Sequence, residues 1–194
     1  MKVRVLIIGF VLICYACNQI KDSNNIKNVV PDSVFRAFIN NIKTDSIFYE
    51  LNRSSQVLDY DFFCEFPDTL YLVKLHKYFK SRDILYILKQ KEFAKSFKFD
   101  STFFKDKIII SQDSILFYSH KPKEYGSYWR WISKKYGKPN FCVLGFPFFN
   151  KDHDIALIQI SHHTSGFSGS GRTLLLKRLK NRWIIQEVIR KIQI

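Results

Sequence analysis

The run ISHHTSGFSGSGR, Ile160 to Arg172, gathers two adjacent histidines, four serines and three of the chain's seven glycines. Such residues serve nucleophilic attack, proton transfer, metal binding or anion capture. A nucleophile elbow needs GxSxG on a strained turn between strand and helix. The stretch Gly166 to Ser170 has serine where the second glycine belongs, and a frame centred on Ser170 has Ser168 where the first belongs. The TLLLKRL that follows reads as a strand, so neither Ser168 nor Ser170 sits in the right context. A phosphate cradle needs glycines that open a helix, where backbone amides and dipole face the anion. Gly169 and Gly171 give only GxG before a strand, which leaves a nest of amides beside Arg172 as the anion reading. His162 and His163 are neighbours on a predicted strand, point to opposite faces and so cannot share one metal. The run is expected to be an exposed, glycine-loosened loop whose candidate binding residues are His162, His163, Ser168 and Arg172. No catalytic residue, metal or cofactor is assigned.

Two other constellations invite chemistry. Asn150, Asp152 and Asp154 occupy positions 1, 3 and 5 of a calcium loop, but Ile155 stands where glycine is required and Ser161 where the bidentate glutamate belongs. A polar hairpin turn is the better reading. Trp129, Trp131 and Trp183, with Tyr125, Tyr128 and Phe167, could line a groove for a sugar or peptide, although core packing is the default for aromatics. Cys64 and Cys142 could bridge or remain two buried thiols, and no CxxC zinc spacing is present.

The elements that must position these residues follow from periodicity. Phe35, Phe38, Ile39 and Ile42 keep helical spacing after Asp32 and Ser33, which can cap. Leu72, Leu75, His76 and Phe79 repeat it after Asp68 and Thr69, and SRDILYILKQKEF opens a third helix with Ile84, Ile87 and Leu88 on one face. KIIISQDSILFYS reads as two short strands around residues 112–114. SYWRWISKKYG reads as a helix from Ser127, with Trp129, Ile132 and Tyr136 inward, stopped by Gly137. FCVLGFPFF, IALIQISHH, TLLLKRL and RWIIQEVIRKI are strand-like, and Lys180–Asn181 makes a tight turn between the last two. The expected fold is α+β: N-terminal helices packed on one face of a C-terminal antiparallel sheet of about four strands in a meander.

Lys2 and Arg4 precede an apolar run from Val5 to about Ala16 that is shorter than the roughly 20 residues of a spanning helix, as in a secretory signal. Ile13, Cys14, Tyr15, Ala16 and Cys17 resemble the lipobox of bacterial lipoproteins, with Cys14 where that family usually has leucine. The resemblance implies lipidation of Cys17 by several acyl chains, enough for stable anchoring where one is marginal. It divides the chain into a signal peptide, 1–16, a flexible tether, 17–30, and a single globular domain, 31–194. Extended, the tether reaches roughly 45 to 50 Å. Lys2 and Arg4 are the only charged residues in 1–16, so their removal lowers 31 basic residues to 29 against 17 acidic ones and leaves a net +12. That charge suits acidic headgroups or polysaccharide. A secreted compartment argues against nucleic acid.

The run FPFFNKDHDIALIQI, the Gly- and Ser-rich connection and LLLKRLKNRW resemble, over 126–194, a type of uncharacterised lipoprotein of Bacteroidetes-like bacteria. That pattern implies a strand, an Asp-containing turn, a strand, a Gly-rich loop and a hairpin whose second strand carries Trp. Here Asn181 is followed by arginine instead of the usual glycine, and the loop has no cysteine. The expectation is a lipid-anchored protein of the bacterial cell envelope, at the outer membrane sooner than the inner, acting as a non-enzymatic module that contacts an envelope protein or acidic polymer. The alternatives are an envelope hydrolase using the 162–172 loop and a lipidated immunity or inhibitor protein.

Overall fold

A computed structural model describes residues 29–59, 69–111, 113, 114, 117, 127–137, 140–165 and 168–193. Cys17, Cys64, Tyr125 and Phe167 lie outside the described residues, as do the signal peptide, most of the tether and the question of a Cys64–Cys142 bridge. Among the described residues no helix is long and apolar enough to cross a membrane.

The first helix, α1 (Asp32–Thr44), buries Phe35, Phe38, Ile39 and Ile42, as its 3.6-residue period predicts. Pro31 precedes it in extended conformation, which its ring favours, and Asp32 pairs with Arg36 one turn on at 2.6 Å instead of capping. A short helix α2 (Tyr49–Arg53) follows and then β1 (Gln56–Asp59). Helix α3 (Thr69–Lys74) buries Leu72, and the turns after it bury Leu75 and Phe79 while His76 stays exposed. Helix α4 (Ser81–Ala94) buries Ile87, half-buries Ile84 and Leu88, and also buries the polar Asp83 and Gln90. Strand β2 (Ile108–Ser111) is the first half of the predicted pair. The second half is not a strand where it is described: Asp113, Ser114 and Phe117 are helical. Helix α5 (Ser127–Tyr136) ends at Gly137, whose φ of +86° is the left-handed stop that glycine supplies most readily.

The predicted strand FCVLGFPFF is two strands, β3 (Phe141–Leu144) and β4 (Phe148–Phe149), and both pair with β5 (Ile155–Ser165). Strands β6 (Ser168–Leu179) and β7 (Arg182–Gln193) complete the meander. Among the described residues the sheet has seven strands, ordered β2-β1-β3-β5-β6-β7 with β4 beside β5. It is therefore mixed and larger than the expected four-stranded meander: β1 joins β2 and β3 in parallel, and the rest is antiparallel. Parallel neighbours need long crossovers, here carried by α3 and α4 between β1 and β2, and such pairing leaves no local sequence signal.

Phe38 packs edge-on against Phe149 and Trp183, which fixes α1 over the face that also carries Ala156, Ile158, Leu174 and Leu176. Phe35, Phe97, Phe103 and Phe146 extend this core with ring centroids 4.8 to 5.9 Å apart, each pair worth about 1 kcal/mol beyond burial. Helix α4 lies along the open side of β4. The Gln90 amide donates to the Phe149 carbonyl at 2.6 Å and accepts from its N–H at 2.9 Å, standing in for a missing strand. Gln56 points away from Val57's face, and its amide donates to the Tyr136 carbonyl at 2.9 Å. The end of α5 thus reaches the other face, so the helices do not all lie on one side.

Strand β7 is an edge. Two register shifts, at Thr173/Leu174 and Leu175/Leu176, bulge it against β6, which twists the edge and discourages another strand from adding to it.

Candidate functional site

The run from Ile160 to Arg172 is not a loop in its greater part. Register pairs Ile160 with Arg172, His162 with Ser170, His163 with Gly169 and Ser165 with Ser168. Opposed residues share a face of the sheet, so His162, Ser170 and Arg172 look one way and His163 the other. The glycines have a different cause from the one expected. Neither Gly169 nor Gly171 has a positive φ. A Cβ on Gly171 would lie 2.7 Å from Ser161 Cβ, and one on Gly169 would lie 2.6 Å from the His162 carbonyl and 3.1 Å from His163 Nδ1. Close approach of β5 excludes side chains there, and both glycines lie in the ladder, not in a nest of free amides.

Arg172 is already occupied. Its Nε and Nη2 meet Glu50 Oε1 and Oε2 at 2.5 and 2.6 Å, Nη2 also donates to the Ile47 carbonyl at 2.9 Å, and its guanidinium lies 4.8 Å from the Tyr49 ring centroid. Glu50 is wholly buried and the Arg172 side chain is 16% exposed. The fork-to-fork geometry is what makes such burial tolerable, since a lone buried carboxylate would be expelled or protonated. The Arg172 side chain, expected to face a partner beside the loop, ties α2 to β6 in the fold.

His162 is half-buried and its Nε2 donates to Asn140 Oδ1 at 2.8 Å, while Asn140 donates to the Arg53 carbonyl at 3.0 Å. Burial lowers its pKa, the negative Glu50 works against that, and the positive Arg53 adds to it. His163 is buried, stacks on Phe141 with centroids 5.0 Å apart and has Nε2 3.1 Å from Ser161 Oγ. Burial, helped by His162, holds its pKa down to about 4. Ser161 and His163 have the spacing of a nucleophile and its base, yet both are buried, and a base of that pKa accepts protons poorly at neutral pH. Ser168 is exposed at the start of β6, opposite Ser165 in the ladder.

The other sequence candidates resolve similarly. Asn150 Oδ1 accepts from the N–H groups of Asp154 and Ile155 at 3.0 and 2.9 Å, and its Nδ2 donates to Asp154 Oδ1 at 2.6 Å. Of the would-be calcium positions, Asn150 and Asp154 brace the hairpin turn from within, and Asp152 pairs with Arg82 on α4. Among the described residues no three His, Cys, Asp or Glu side chains converge as a metal set. Trp183 is buried against Phe38 and Phe149, and Trp131 is half-buried beside Tyr136.

No motif in the sequence marks Glu50 or Asn140, and Ser161 stands out only at the failed calcium-loop position. Glu50 is a lone acid inside the apolar SIFYEL, a signal that a buried partner exists but not which one it is. Family models, curated proteins and solved structures give no match to the chain.

Proposed function

We propose that the protein is a lipid-anchored module of the bacterial envelope, held through Cys17, whose folded domain binds rather than transforms. The observation that carries the non-enzymatic part is the commitment of the chemistry-bearing side chains around β5 and β6 to internal partners. Arg172 is bound by Glu50, His162 by Asn140 and Asn150 by Asp154, and His163 is buried against Phe141. The anchoring part rests on the Ile13 to Cys17 lipobox and the apolar run before it. A net +12 on the processed chain favours an acidic envelope polymer, headgroup or protein surface as the partner.

Substituting Cys17→Ser tests the anchor: the protein is expected to leave the membrane fraction and to lose the mass of its acyl chains. Retention in the membrane with unchanged mass would remove the reading. Alanine at Ser161, Ser168 and Ser170 tests the other half, because abolition of any hydrolytic activity, with the fold intact, would make the protein an enzyme.

A further inference from the structure

The chain leaves the described domain at one end of the sheet, and that end is basic. Val30 packs in the core, and the Val29 carbonyl accepts a hydrogen bond from the Tyr86 hydroxyl. The same hydroxyl lies 2.7 Å from His153 Nε2, in the 150–154 turn. Next in sequence, the Asp154 carbonyl accepts from the Arg178 N–H at 2.7 Å, where the β6–β7 hairpin begins to turn. Lys180 forms that turn with a φ of +55°. Three pieces of chain therefore meet at this end: the exit toward Cys17, the turn before β5 and the hairpin tip.

The cations gathered there are Lys80, Lys151, Lys177, Arg178 and Lys180, all exposed. The acids beside them are satisfied internally. Asp83 Oδ1 and Oδ2 accept from the Lys151 and Lys80 N–H groups. Asp154 is held by Asn150, Asp152 by Arg82 and Asp45 by Arg182. Exposed Leu179 sits among the cations of the tip. Twelve residue steps separate Cys17 from Val29, a reach of at most about 40 Å.

We infer that this end of the domain docks on an anionic lipid surface, with Lys151 and the Lys177–Lys180 hairpin tip against the headgroups. The inference rests on the anchor at Cys17, which would bring the exit point and therefore the hairpin tip toward the bilayer. Anionic headgroups attract exposed cations within a Debye length, each contributing roughly five-fold to binding. The leucine at the tip can settle at the headgroup boundary.

The test uses the full anchored chain reconstituted into vesicles of phosphatidylcholine alone or of phosphatidylcholine mixed with phosphatidylglycerol. Amine labelling of Lys151 and Lys180 is read by mass spectrometry against Lys134, on α5 near the His163 end of β5. With phosphatidylglycerol, labelling at Lys151 and Lys180 should slow several-fold relative to Lys134. High salt, or Lys177→Gln with Arg178→Gln, should restore it. Equal ratios in the two vesicles overturn the inference, whether the chain is attached or free in solution. The anchor is read separately, by the mass of Cys17→Ser, so lipidation can fail while the labelling contrast stands, and the reverse.

Discussion

Strand β5 runs 11 residues, roughly 35 Å, between two ends that use their polar groups in opposite ways. At the His162 end, side chains rich in chemical possibility turn to one another: Arg172 to Glu50, His162 to Asn140, His163 to Ser161 and Phe141. At the Ile155 end Asp154 is held by Asn150 and Asp152 by Arg82, and the neighbouring lysines and Arg178 stay in solvent. Residue type alone would rank the first end as the functional one. Partner and exposure separate the two ends differently, because a charge bound to an internal counter-charge has little left to offer a ligand.

The contrast can be broken at Glu50. Glu50→Gln keeps the shape but strands the Arg172 guanidinium, and should destabilise the fold by about 3 kcal/mol. By comparison, Arg178→Gln at the other end should move stability by less than about 0.5 kcal/mol. Urea unfolding of the two variants measures both, and similar losses would show that the ends do not differ as described.

His163 gives the next effect. Unfolded, it takes up a proton near its ordinary 6.5, whereas in the fold burial delays this to about 4. Its contribution is therefore full above pH 6.5 and is lost as pH falls toward 4, to a total on the order of 2 to 3 kcal/mol. The stability gap between wild type and His163→Gln should narrow by most of that amount between pH 7 and pH 4.5. A gap that stays constant would mean His163 is more open to water than its neighbours indicate.

Gly171→Ala sharpens the same end with a smaller effect. Its new methyl would meet Ser161 Cβ at 2.7 Å across the ladder, a clash expected to lower stability by about 1 to 3 kcal/mol. Gly137→Ala separates this cause from conformation, since at Gly137 there is open space and the strain comes from φ. Thermal melts should show that adding Ser161→Gly recovers part of the loss at Gly171 and none at Gly137.

Much of the secondary structure was legible because its causes are local. The spacing of Phe35, Phe38, Ile39 and Ile42 is enough to specify α1, and Gly137 to end α5. Strand β7, most of β5 and the Thr173–Leu179 part of β6 follow from runs of β-branched and leucine residues, with β6 and β7 joined by a short turn, whereas Ser168–Arg172 reads as a connection and is strand. Strand β1 was not legible, since Gln56–Asp59 is four residues long and acquires strand character only by pairing with β2 and β3 from distant parts of the chain. The same distance hid the site: Glu50 and Arg172 are 122 residues apart, and Gln90 reaches Phe149 across 59. The glycines near Arg172 were visible, but their reason was not, because a loosened loop and a crowded ladder both call for glycine.

The sequence by itself determined the periodic elements, the net charge and the lipobox-like residues before Cys17, all of which depend on neighbours along the chain or on simple sums. Only the tertiary structure decided which charges are consumed and which remain. Whether an arginine meets a glutamate or water depends on contacts closed over a hundred residues, and those contacts turned Arg172 inward and left Lys151, Lys177, Arg178 and Lys180 in solvent.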